Sequence, residues 1–198
     1  MKKIFLIGDS IRYGHGKEGK KNGYGYYVEE KLKGKCIVYA PNDNCRFLQY
    51  TLRYLHEWIQ NLGIKGEEID IIHWNNGLWD VLRILEDEPL TSIEMYKIML
   101  NRVYKRIKKL FPNAKIIFAL TTPVTEELMS EDFLRRNTDI EKYNEAAVEV
   151  LKPLGVVIND LYKIGKEIRG QYYYDAVHYN EKGSELLAEE IIKLIEKI

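Results

Sequence analysis

Apolar positions along this chain fall into two alternating patterns. Short unbroken runs rich in β-branched residues, at 3–8, 35–39, 69–74, 115–120 and 156–158, read as strands buried on both faces. Between them, apolar residues recur at helical spacing. The clearest stripe, Phe47, Leu48, Leu52, Leu55, Trp58, Ile59 and Leu62, predicts a helix ending at Gly63. Further helices are predicted over 25–33, 92–110, 139–151 and 180–197, and the stretch between the last strand and the last helix reads as a polar loop. Strands alternating with helices predict an α/β fold: a parallel sheet with helices on both faces, because parallel neighbours need crossover connections. Five strands suggest the order 2-1-3-4-5. The first and third are then neighbours and the winding reverses between them, so their carboxyl ends open onto one crevice, with the loops after strands 2 and 5 on its rim.

The first strand breaks at Gly8-Asp9-Ser10, which places the Ser10 hydroxyl at that crevice. A long polar loop over residues 10–25, with Arg12, Tyr13, His15 and a lysine-rich tip, follows it. The 198 residues fit one domain over 1–198, large enough for a core without disulfides or a structural metal. Thirty basic and thirty acidic side chains cancel, which argues against a nucleic-acid partner. The basic cluster Arg102, Lys105, Arg106, Lys108 and Lys109 reads as the solvated face of a helix. With two cysteines, Cys36 and Cys45, and an amino-terminal apolar run too short for a signal peptide, the chain reads as a reduced, cytoplasmic protein. No stretch is long enough to span a membrane.

A serine hydroxyl is a weak nucleophile and needs a base, which in turn needs an orienting acceptor. Of four histidines, His178 is the candidate base, three residues beyond Asp175 in the polar loop. His15 lies in the first loop and His56 within a helix. His73 is inside the third strand, where its ring could point near the crevice without acting as a base. Donors for an oxyanion are available from the Ser10 backbone N–H and from asparagines after the second and third strands, Asn44 and Asn75 or Asn76. Arg46, Trp79, Asp80 and Tyr13 are candidates for substrate contact, and Arg46 could equally pair with Asp43 or Asp80. Trp74, Tyr172, Tyr173, Tyr174 and Tyr179 lie on or near the same loops and either face a ligand or pack them. A binding module for a phosphate or a sugar is the rival to an enzyme, although the phosphate-cradling glycine patterns are missing.

Four blocks in order carry a family resemblance: Gly8-Asp9-Ser10, the asparagine turn after strand 2, the Asn-x-Gly-Leu-x-Asp element from Asn75 to Asp80, and Asp175-Ala176-Val177-His178. Together they resemble the SGNH hydrolases, also called GDSL esterases/lipases. The resemblance implies a three-layer flavodoxin-like fold, Ser10 as nucleophile and backbone oxyanion donor, and His178 as base with Asp175 orienting it. Asn44 stands where the family has a glycine donor, and Asn75 or Asn76 would supply the side-chain donor. The implied reaction is hydrolysis of a small soluble ester, such as an O-acetylated carbohydrate, without metal or cofactor. A lysophospholipase or thioesterase activity is the alternative, and oligomeric state is left open.

Overall fold

The computed structural model describes residues 1–17 and 19–198; Glu18, within the loop predicted over 10–25, lies outside the described residues. In chain order the elements are β1 Lys2–Ile7, α1 Ser10–Tyr13, α2 Tyr24–Leu32, β2 Cys36–Tyr39, α3 Leu48–Leu62, β3 Ile71–Trp74, β4 Arg83–Ile84, α4 Ile93–Leu110, β5 Lys115–Ala119, β6 Phe133–Leu134, α5 Asn137–Leu151, β7 Val157–Asn159, α6 Leu161–Tyr172 and α7 Glu181–Lys197. The main sheet runs β2-β1-β3-β5-β7 with every pair parallel, which is the predicted order when its five strands are counted along the chain.

The central strands are buried because helices cover both faces. Ile4 to Ile7 of β1 and Ile71 to Trp74 of β3 are all buried, and α2, α6 and α7 pack as one layer while α3, α4 and α5 pack as the other. Buried aromatics tie sheet to helix: the Phe5 and Phe111 ring centroids lie 5.4 Å apart, and Trp74 meets Phe118 edge-on at 4.8 Å. Helix ends follow local chemistry. Ser92 caps α4 by accepting from the Met95 N–H, and α3 stops at Gly63, whose φ of 61° suits glycine.

Two departures from the sequence expectation bear on function. The segment read as a polar loop after the last strand contains α6, capped by Asp160, which accepts from the Lys163 N–H. Leu161, Ile164 and Ile168 give it an inner face. Gly165 is required by close approach, since a Cβ there would lie 2.5 Å from Pro123 Cδ. The second departure is the small antiparallel pair β4 and β6, which clips residues 83–84 to 133–134 at the crevice rim. Among the described residues no helix is long and apolar enough to cross a membrane.

Candidate active site

At the carboxyl end of β1 the chain turns sharply. A Cβ on Gly8 would meet Arg12 Cβ at 2.7 Å, so glycine allows the strand to turn against the following helix. Asp9 then caps α1 by accepting from the Ile11 N–H at 2.9 Å, which leaves Ser10 as the first helical residue, its backbone N–H among those without an intrahelical acceptor. Buried Arg12 brings the turn after β2 alongside, donating to the carbonyls of Pro41 (2.9 Å), Asp43 (2.5 Å) and Gly8 (3.2 Å).

From the far end of the chain, the loop between α6 and α7 delivers His178. Its Nε2 lies 2.7 Å from Ser10 Oγ, and its Nδ1 lies 2.8 Å and 3.0 Å from the two Asp175 oxygens. Asp175 Oδ1 also accepts the backbone N–H groups of Val177 and His178, each at 2.7 Å. Burial pushes the Asp175 carboxyl up, but the His178 ring and these N–H groups outweigh it and hold the group well below the usual carboxylate range. With an ionised Asp175 accepting at Nδ1, the ring proton belongs on Nδ1 and Nε2 is left to accept from the serine hydroxyl. Arg169 of α6 secures the loop: its guanidinium donates to the carbonyls of Asp175 (2.7 Å), Val177 (2.6 Å) and His178 (3.4 Å). The His15 ring stacks on His178, with centroids 4.2 Å apart and planes 10° apart. His15, Asp175 and His178 hold ligand-capable atoms within 4.8 Å of one another, but the His178 nitrogens already face Asp175 and Ser10.

Ser10 and His178 open into a pocket of about 460 Å³. Asn44 and Trp79 line it, as do His15, Leu78, residues 128–130, Phe133 and Arg135. Asn44 Oδ1 accepts from the Arg46 N–H at 3.0 Å, which fixes the side chain in the wall.

Several residues chosen from the sequence lie elsewhere. Asn75, 4% exposed, donates through Nδ2 to the Ala119 carbonyl, and fully buried Asn76 donates to the Arg46 and Cys45 carbonyls while accepting from Trp74 and Thr51. Neither is among the residues that line the pocket; each Nδ2 donates to a backbone carbonyl of a neighbouring segment, which braces the loop after β3. Arg46 stands exposed over the Tyr50 ring at 4.9 Å, with φ 45°, and among the described residues it forms no ion pair with Asp43 or Asp80. Tyr13 lines a separate cleft with Arg12 and reaches Asn42. Asp80 is fully buried and accepts from the Leu48 N–H at 3.4 Å. Of the four candidates for substrate contact, only Trp79 lines the pocket. His73 is buried beside Asn159, 3.1 Å away, and burial lowers it to about 4; Tyr179 is buried beneath Arg169. The sequence reading missed His15 as a neighbour of His178, and it missed Arg135. Nothing in the run of adjacent arginines at 135 and 136 sets the buried one apart.

Two buried carboxyls beneath the site carry a pH signature. Burial pushes Asp9 up to about 6 and Asp80 up to about 7. Each binds its proton more tightly in the folded chain than in the unfolded one. Their contribution to stability is therefore full below about pH 4 and is lost as pH rises through about 6 and about 7. An Asp80→Asn variant keeps an acceptor for the Leu48 N–H but no longer titrates. The fall in its unfolding free energy between about pH 5 and pH 8, followed by urea titration, is expected to shrink by on the order of 1–3 kcal/mol. A slope equal to the wild type's would contradict this assignment.

Comparison with known proteins identifies the family and the fold. The model of the GDSL-like Lipase/Acylhydrolase family matches residues 6–186. A GDSL esterase/lipase of rice, Oryza sativa subsp. japonica, is 23% identical over 120 residues, 55% of this chain; the match covers 46% of the rice protein, so the chain spans about half the length of that curated relative. The crystal structure of the lipase/acylhydrolase from Enterococcus faecalis superposes with a TM-score of 0.76 at 21% identity, over 100% of this chain and 96% of that one. A catalytic mutant of an acetylxylan esterase from Geobacillus stearothermophilus superposes with a TM-score of 0.71 at 17% identity, over 98% of this chain and 94% of that one.

Proposed function

Because the chain belongs to the GDSL-like lipase/acylhydrolase family, we propose that it hydrolyses small carboxylic esters through an acyl-enzyme on Ser10, acting as a single domain over residues 1–198. The observation that carries this reading is the 2.7 Å approach of His178 Nε2 to Ser10 Oγ across 168 positions of chain. As Oγ attacks the ester carbonyl, His178 takes its proton and Asp175 stabilises the imidazolium that forms. The tetrahedral oxyanion is held by the Ser10 backbone N–H and by Asn44. The alcohol leaves with the proton from His178. Water, deprotonated by the same ring, then cleaves the Oγ–acyl bond and frees the serine.

The pocket's size suits a short acyl group with an alcohol no larger than a sugar, and the Trp79 ring in its wall suits the face of a pyranose, as in an O-acetylated carbohydrate. The acetylxylan esterase among the structural neighbours supports this choice. A second reading, hydrolysis of longer acyl chains, draws on the exposure of Leu128 and Phe133 at the rim, 51% and 42%. Treating the protein with a fluorophosphonate and mapping the adduct by mass spectrometry tests the nucleophile: one phosphonyl group is expected on Ser10 and none on a Ser10→Ala variant. An unlabelled wild type, or an adduct elsewhere, refutes the assignment. In a chain-length series of nitrophenyl esters acetate is expected to lead, and a clear preference for octanoate selects the second reading.

A further inference from the structure

Three arginines are buried near the site, and two have their outer nitrogens occupied. Arg12 spends its guanidinium on backbone carbonyls, and Arg169 on three carbonyls and the Thr125 hydroxyl. Arg135 differs. It is 3% exposed, lines the pocket that holds Ser10, and makes one hydrogen bond among the described residues, from Nε to the Leu78 carbonyl at 2.6 Å. That bond engages the inner nitrogen, and among the described residues neither Nη group has an acceptor. The guanidinium carbon lies over the rings of Phe133 and Trp79, 5.1 and 5.8 Å from their centroids. No carboxylate of the described residues lies within ion-pair distance. Asp9 and Asp175 act on it only through space; Asp9 accepts from the Ile11 N–H through Oδ1, and Asp175 is engaged by His178.

A desolvated guanidinium without a counter-charge is costly, and this cost is relieved when an anion arrives. Its two outer nitrogens form a planar fork that matches the two oxygens of a carboxylate better than the single oxygen of a tetrahedral intermediate. We infer that Arg135 forms an anion subsite in the Ser10 pocket, and that the ester cleaved there carries a carboxylate, on its acyl or its alcohol part, gripped by the two Nη groups while Ser10 attacks. The inference rests on the ester-hydrolase reading and narrows its substrate class. The carboxylate is a spectator: water still divides the ester into an acid and an alcohol, and no charge on the subsite changes.

Paired substrates separate the two sources of the carboxylate. The acyl arm compares the 4-nitrophenyl monoester of succinate with 4-nitrophenyl pentanoate; the alcohol arm compares 3-carboxyphenyl acetate with 3-carbamoylphenyl acetate. On one arm the carboxylate ester is expected to show a kcat/KM at least about tenfold above its neutral partner, and Arg135→Gln to lower that ratio by a similar factor, with Arg135→Lys in between. A preference for the neutral ester on both arms overturns the inference. So does a ratio that survives Arg135→Gln, including the case in which both esters slow together, which would make Arg135 an oxyanion donor or a brace for Leu78. If no ester is turned over, the hydrolase reading fails by itself. Calorimetry with 3-hydroxybenzoate and with succinate then still reads the subsite: binding of either that is lost in Arg135→Gln upholds it, and binding of neither to the wild type rejects it.

Discussion

Ser10→Ala is expected to lower kcat/KM for a simple acetyl ester by about 10³-fold or more while leaving the fold intact. In the proposed reaction the hydroxyl forms the new bond, and its loss leaves only the oxyanion donors and the pocket to assist water. Little else depends on it. Ser10 Oγ meets His178 at the floor of an open pocket, whereas the turn around it is held by Asp9, Gly8 and Arg12 through groups that alanine does not disturb. Because nucleophile and base act as one unit, adding His178→Ala to this variant is expected to cost almost nothing further. Steady-state kinetics with a thermal unfolding curve checks both statements. Turnover in Ser10→Ala within tenfold of wild type would remove Ser10 from the reaction.

Asp175→Asn is expected to be comparably damaging, at about 10⁴-fold in kcat, for a reason the geometry makes specific. Oδ1 of Asp175 takes two backbone N–H groups and lies 3.0 Å from His178 Nδ1, while Oδ2 makes the closer approach to Nδ1 at 2.8 Å. An asparagine keeps its carbonyl on the backbone pair, where acceptors are needed, and so presents its NH₂ to Nδ1. That nitrogen must then accept, the ring proton moves to Nε2, and the base faces Ser10 with its lone pair gone. KM is expected to move little. Asp175→Ala imposes no tautomer and is expected to retain more activity than Asp175→Asn; the reverse order would show that charge, not orientation, is what Asp175 supplies.

How much of this was legible in the sequence varies with the range of the interactions that fix each part. The three central strands β1, β3 and β5 announce themselves because both their faces are buried, and α3, α4 and α7 because their stripes are long. α6 was hidden because Gly165 and Gly170 interrupt its apolar period and a run of tyrosines follows. Its glycine at 165 answers to Pro123, a contact no local pattern displays. Ser10, Asp175 and His178 were readable because each sits on a turn with a distinct local signature. For Asn75 and Asn76 the loop was readable but not the direction of the side chains, which depends on carbonyls at Ala119 and Arg46. Arg135 was beyond reach, since it enters the pocket only through the pairing of β6 with β4, about fifty residues apart.

The manner in which His178 is secured has a consequence for how the protein fails. Its loop hangs between α6 and α7, and three of its carbonyls converge on the single side chain of Arg169. With the Thr125 N–H on the Ala176 carbonyl as another tie to the body of the fold, loosening the Arg169 clasp is expected to release His178 while β1 keeps Ser10 in place, so that heat removes activity by a local melting event before the core collapses.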